Sequence, residues 1–348
     1  MTGMVAPIAA SWSDAFGEGE WIGDRLGPFQ QDLVRSVETG GSASYRAGFV
    51  VPSGFEAYVR VLHPLPPPWS GDRPAMRWRE VAAWSGRPIG PGTQFHSIAL
   101  PPERPPGEVP FSGLSPLGGN PHPPDAMVLS ELLRGATETP ERCFFCLWDG
   151  YGWERGSRVL AQRGEPPVWR PGPIPEEVLR GPRVQHPIRN YLLYSGAVEA
   201  VIAPELLGDR NLQAANLWWP ADHAWCVASD IDLSWTYVGG TRAVIDRLLA
   251  DERIETVPAG IDEPIDRVEE WVQQWVDAGV AALLATGSAT ITTSMGTLEA
   301  SLERPGGSER GVLRCGGGTW SIPPSDESLL RRTVSDYLTY AVIGLVGQ

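Results

Sequence analysis

The sequence predicts an α+β protein, a mostly antiparallel sheet with flanking helices plus a small C-terminal α+β unit. Three stretches carry that prediction. Leu217 to Ala250 reads as an aromatic turn, a long strand, a glycine break and an amphipathic helix. Cys143–Trp148 and Tyr191–Tyr194 read as further strands. Beyond residue 262, a helix, four short strands and a closing helix follow one another.

The first stretch organises the rest. From Trp225 the odd positions are Trp225, Val227, Ser229, Ile231, Leu233, Trp235 and Tyr237, and the even ones are Cys226, Ala228, Asp230, Asp232, Ser234 and Thr236. Period-two alternation over that length predicts a single strand with one face in a core and one near water. Gly239-Gly240 then ends it. Thr241 is placed to cap a helix whose buried stripe is Val244, Ile245, Leu248 and Leu249.

In chain order, residues 1–44 are Gly-rich and polar and are expected to form a poorly ordered N-terminal extension, with a short helix around Phe29–Val37. The main domain is expected over residues 45–262. It opens with the strand Tyr58–Leu62, followed by a proline loop and a short helix over Arg77–Trp84. A long irregular connection, Pro101–Pro124, leads to a helix over Ala126–Arg134. Cys143–Trp148 comes next, then the turn Asp149–Gly152 and, after Tyr191–Tyr194, a helix starting at Val198. Residues 263–348 form the C-terminal unit. Its first helix carries Ile265, Val268, Val272, Val276 and Leu283, and its strands pair around Ser294–Gly296 and Gly316–Gly318. Leu329, Leu330, Val334 and Leu338 mark the closing helix.

Composition narrows the function. A chain of 348 residues exceeds the size at which single cores stop growing. Its net charge of -14 argues against nucleic acid or an anionic membrane as partner. The basic side chains are all Arg. Without lysine there is no lysine Schiff base, Walker-A lysine or kinase strand lysine. Four cysteines in this length do not make a disulfide framework. The N-terminal residues lack the pattern of a signal peptide and no run reaches the length of a membrane span, so a cytoplasmic location is expected.

Few residues suggest chemistry. Cys143 and Cys146 have CxxC spacing, but on a strand they point to opposite faces and read as core thiols. Asp230 and Asp232 form a D-x-D that alternation would place on one face, close enough to share a divalent cation. The bland alternative is a solvated face paired with arginine. His223, beside Asp222 in WWPADHAW, could serve as a general base or could simply shape the turn. Ser195 lacks a nucleophile-elbow motif, and Gly17–Gly23 misses the dinucleotide fingerprint. No cofactor is expected. Fifteen tryptophans are the compositional oddity. Trp225 and Trp235 are expected inside, with Trp218 and Trp219 partly exposed at a rim.

YVRVLHP, RWREVAAWSG, ERCFFCLWDGYGW, NYLLYSG and LWWPADHAWCVASDIDLSWTYVGG resemble a family of uncharacterised actinobacterial proteins. The resemblance runs from about Phe55 to Val257, somewhat over half the chain, and implies no activity. LWDGYGW beside a sheet also resembles SMI1/KNR4-type (SUKH) domains, many of which are toxin-immunity proteins. That resemblance offers an immunity-like lead. The missing catalytic motifs, the charge of -14 and the aromatic turn point the same way, to a non-catalytic binding protein with a protein partner. Its expected binding residues are Trp218, Trp219, Asp222, Trp148, Tyr151 and Trp153; it predicts Trp218 and Trp219 at the surface, and it fails if both are buried and pull-downs recover no partner. The competing expectation is a metal-dependent, transferase-like enzyme using Asp230 and Asp232 with His223 assisting.

Overall fold

The computed structural model describes residues 10–38, 45–66, 75–100, 103, 109–111, 114–152, 155–159, 168–186, 189–207, 213–265, 270–293, 296–303, 311–315, 318–322 and 327–344. In chain order the elements begin with β1 (Ser11–Trp12), α1 (Glu20–Glu38), β2 (Ala57–Leu62), α2 (Trp78–Ser85), α3 (Phe95–Ala99) and α4 (Pro123–Arg134). Then come β3 (Cys143–Trp148), β4 (Ser157–Val159), β5 (Val168–Arg170), α5 (Glu176–Arg180), β6 (Val184–His186), β7 (Arg189–Gly196) and α6 (Pro204–Leu207). The central segment holds β8 (Leu217–Pro220), β9 (Cys226–Ser229), β10 (Trp235–Gly240), α7 (Arg242–Ala250) and β11 (Thr256–Ala259). The chain closes with α8 (Glu270–Thr286), β12 (Ser288–Thr293), β13 (Gly296–Glu303), β14 (Gly311–Cys315), β15 (Gly318–Ile322) and α9 (Glu327–Gly344). The fold is α+β, with antiparallel sheets.

Two compact units divide the chain, residues 1–63 with 117–266 and residues 64–116 with 267–348. The segment 64–116, expected inside the main domain, therefore groups with the C-terminal residues. The N-terminal residues also differ from expectation. β1 pairs with β7, and α1 is twice the expected length, so residues 10–38 belong to the first unit.

In the first unit the sheet runs β1-β7-β3-β8-β9-β10-β2-β11, with β6 also on β7. Both of its faces are covered, which is why every residue of AYVRVL in β2 is buried. One face carries Val59, Val61, Phe145, Trp218, Trp225, Val227 and Val238, packed with Leu129 and Leu133 of α4 and with Val244, Ile245 and Leu248 of α7. The register places Phe144, Trp219, Tyr237 and Arg60 on the opposite face. There Trp21 of α1 meets Trp219 edge to face at 5.9 Å. Thr241 caps α7 by accepting the Val244 N–H at 3.4 Å.

The expected single strand from Trp225 to Tyr237 is a hairpin. β9 ends at Ser229 and β10 begins at Trp235. Asp230 shapes the turn between them. Its carboxylate accepts the Asp232 N–H at 3.0 Å, and its carbonyl accepts the Leu233 N–H at 3.1 Å. A short acceptor side chain competing with ladder bonds is the usual reason a strand stops at Asp. The pair Ser229–Thr236 joins an odd to an even position, so Trp235 and Tyr237 turn to the face opposite Trp225 and Val227. Gly239 and Gly240 do not break the strand; they pair with Tyr58 and Ala57. A side chain at Gly239 would lie 2.5 Å from the Phe55 ring.

The second unit contains α2 and α3, joined by aromatic contacts. Trp78 meets Phe95 at 5.2 Å and Trp84 meets Phe111 at 5.2 Å. Its meander β12-β13-β14-β15 is covered by α8 and α9. Alternation is clean here: Ile291, Leu298, Ala300, Leu302 and Leu313 are buried, while Thr290, Glu299 and Arg314 are exposed. Gly279 lets α8 approach closely, since a Cβ there would stand 2.5 Å from Ile291 Cδ1.

Candidate functional site

The fold brings three of the sequence candidates, Trp148, Asp230 and Asp232, together at one end of the sheet. Trp148 closes β3, Asp230 and Asp232 occupy the β9–β10 turn, and Arg189 at the start of β7 joins them. The Arg189 guanidinium donates to Asp230 Oδ2 at 3.2 Å, to Asp230 Oδ1 at 3.0 Å and to Asp232 Oδ2 at 2.8 Å. Its carbon stands 5.3 Å from the Trp148 ring centroid. Burial alone would lower the Arg189 pKa, but the carboxylate hydrogen bonds outweigh it and raise the value. Asp230 is buried, whereas the Asp232 side chain is 77% exposed. The D-x-D therefore does not line one strand face as two open ligands. Both carboxylates are held by one arginine, which is the arginine-paired arrangement weighed above.

Beside this clamp lies an open recess of about 440 Å³, bordered by Trp148, Asp149, Gly150, Gln185, His186 and Arg189. Asp149 accepts from Arg155 and from Arg183, each at 2.8 Å. Tyr151 stands against Trp148 at 5.1 Å, and its hydroxyl bonds Asn120 and Asn216. Asn216 in turn accepts the Trp148 N–H at 2.9 Å. Burial pushes the Tyr151 phenol up to about 12, so it stays protonated at neutral pH. Trp153 lies outside the described residues.

Asp222 and His223 sit at the opposite end of β9. The four residues of β9 lie between them, and at about 3.3 Å per residue they put roughly 13 Å of strand between the His223 turn and Asp230. His223 therefore cannot assist chemistry at the D-x-D. Asp222 organises its own turn, accepting from Thr137 Oγ1 and Glu138 N at 2.8 Å and from Ala224 N at 3.1 Å. Partial burial opposes ionisation of Asp222, and these donors overcome it to lower its pKa. His223 has φ 55° and stacks on Trp21 at 4.5 Å. Burial, aided by the nearby Arg25, lowers its pKa. It shapes a turn.

Trp218 and Trp219 are not at a rim. They lie in β8, fully buried on opposite faces, with Trp218 edge to face on Trp225 at 5.1 Å and Trp219 stacked on Phe144 at 5.9 Å. LWWP is a strand because β3 and β9 pair with its two edges, while its faces are covered by the core that includes Leu129 and Leu133 of α4 on the Trp218 side and by Trp21 of α1 on the Trp219 side. The sequence predicted exposure here, and the structure overturns that placement.

All four cysteines are free and buried. Desolvation pushes Cys143 up to about 12 and Cys315 to about 11, and raises Cys146 and Cys226 as well. His63 is wholly buried, with Nδ1 bonded to the Leu117 carbonyl and Nε2 to Thr236 Oγ1, each at 2.8 Å. Burial lowers the pKa of His63, His96 and His186 to about 4 each. Among the described residues, no group of three or more His, Cys, Asp and Glu is placed to hold a metal ion, and no helix is long and apolar enough to cross a membrane.

Two features escaped sequence reading. Arg189 stands two residues after Pro187 and opens β7, with nothing local to mark it as the partner of a turn 41 residues onward. Arg60 alternates into a strand of apolar residues, yet it is fully buried against Glu263 at 3.1 Å and over the Trp235 ring at 4.1 Å. No protein-family model, curated protein or solved structure matches this chain.

Proposed function

We propose that the protein is a non-catalytic binding protein that works in the cytoplasm through a protein partner, in the manner of toxin-immunity proteins. The observation that supports this reading most directly is the Arg189 clamp. It engages both carboxylates of Asp230 and Asp232, the acidic pair that the sequence put forward for metal chemistry. A paired carboxylate of this kind orders a loop rather than presenting an open ligand set. The recess beside it combines the Trp148 ring, the amides of Gln185 and Asn190, the neutral imidazole of His186 and two charged side chains, Asp149 and Arg189, a mixture suited to protein contact. In this reading Trp148, Asp149 and Tyr151 form the first contact surface.

The decisive experiment is a thermal-shift panel of divalent metals, nucleotides and nucleotide-sugars, run with Asp230→Asn alongside. Ligand binding to the native state raises the midpoint by mass action. No shift is expected. A metal-dependent rise that disappears in Asp230→Asn would replace this reading with the metal-enzyme one. For the partner itself, a photo-crosslinking residue at Gln185, exposed on the recess, should capture a single protein species in the cells that make the chain.

A further inference from the structure

A second concavity lies on the first unit, where the edge of the sheet is interrupted. β6 pairs with Arg189–Tyr191 of β7, and β1 pairs with Tyr194–Ser195. Leu192 and Leu193 fall between the two short strands. A groove of about 360 Å³ opens there, walled by Trp12, Phe16, Val178 and Leu192. Pockets that accept ligand groups run from roughly 300 to 1,000 Å³. Its floor is continuous with a small core of Leu147, Ile174, Leu192 and Leu207, against which Trp12 and Val178 are packed but only partly buried.

The charged side chains that line this groove are both acidic. Asp14 and Glu177 lie on its rim, both exposed. From Ser11 to Asp24 the chain carries Asp14, Glu18, Glu20 and Asp24 and no basic residue. The nearby arginines are already engaged. Arg180 pairs with Glu176 at 2.9 Å, and Arg183 binds Asp149 and the carbonyls of Val178, Leu179 and Gly181. The whole chain is acidic as well, at -14.

We infer that this groove is a docking site for a protein partner's short segment of apolar side chains flanked by Arg or Lys. The apolar walls supply the contact area, and the carboxylates select the flanking charge and speed encounter. This inference rests on the reading of the chain as a protein-binding protein and names the chemistry of the partner segment.

Twelve-residue peptides displayed on phage and selected on the full chain would test it, with the enriched peptide then measured by fluorescence polarisation. The expected consensus is basic–apolar–basic. Asp14→Arg and Glu177→Arg, both at exposed positions and so expected to leave the melting temperature unchanged, should each weaken that peptide about tenfold, and Val178→Arg should abolish binding. An acidic or charge-free consensus would overturn the inference. So would affinity unchanged in the two charge reversals, or sedimentation showing a second copy in the groove that Val178→Arg removes. Tighter binding after deletion of residues 1–9 would also overturn it, by making the chain's own N-terminal residues the occupant. If crosslinking from Gln185 still captures a partner while Glu177→Arg has no effect, the groove fails and the binding-protein reading survives.

Discussion

At Asp230 and Asp232 the same side-chain type in one turn carries different weight. Asp230 is buried and holds Arg189 through two hydrogen bonds, whereas Asp232 reaches the same guanidinium from solvent. Asp230→Asn should cost about 1–3 kcal/mol, because it leaves a largely buried guanidinium without its main carboxylate. Asp232→Asn should cost less than ~1 kcal/mol, in line with exposed ion pairs. Urea unfolding of both variants checks the order; equal losses would show that Asp230 is not the anchor. Gly150 tests the same site from the other side. A Cβ there would run into the indole of Trp148, so Gly150→Ala should swing the ring off Arg189 at a cost of about 1–3 kcal/mol. A changed tryptophan near-UV CD signal would report it. The cysteines should resist a thiol reagent at pH 8 until the chain is unfolded, because burial raises all four thiol pKa values.

Among the elements, strand faces were harder to read than strand locations. Cys143–Trp148, Thr241–Ala250 and the β12–β15 meander were legible because local pattern and caps determine them. The β9–β10 hairpin was not, since alternation continued unbroken through the turn. Only the cross-strand pair Ser229–Thr236 reveals that the face changes. Gly239 is where this matters for stability. Gly239→Ala should destabilise by about 1–3 kcal/mol, since the new methyl would press on Phe55 and Tyr58 within a sheet covered on both sides. A loss below a few tenths would mean that the rings move freely. Glu263→Gln should cost more, about 3–5 kcal/mol, by removing the carboxylate that faces the buried Arg60. Arg60→Met should cost less than Glu263→Gln, because it removes the buried charge along with the pair.

Across the whole molecule the buried histidines predict how stability depends on pH. His63, His96 and His186 have pKa values near 4 when folded and about 6.5 when exposed. Their folded values are lowered, so below pH 6.5 the unfolded chain binds more protons than the native one. Stability is full above pH 6.5 and falls as the pH drops toward 4, by roughly 3 kcal/mol for each group at most. Urea midpoints at pH 7 and pH 4.5 should show the decline. His63→Gln should reduce it, since protonating His63 sets Nε2–H against the Thr236 hydroxyl in place of accepting from it.

The order of residues was enough to establish the α+β class, most helices and strands, the inert cysteines and the exclusion of lysine chemistry. Each depends on local periodicity, a cap or composition. It could not establish which tryptophans are buried, where Asp230 and Asp232 point, or that Arg189 holds them. Nor could it place residues 10–38 on the sheet or group 64–116 with the C-terminal residues. Those outcomes depend on cover supplied by segments far away in sequence. A strand such as LWWP is a rim or a core according to whether a second layer lies over it, and no local pattern records that.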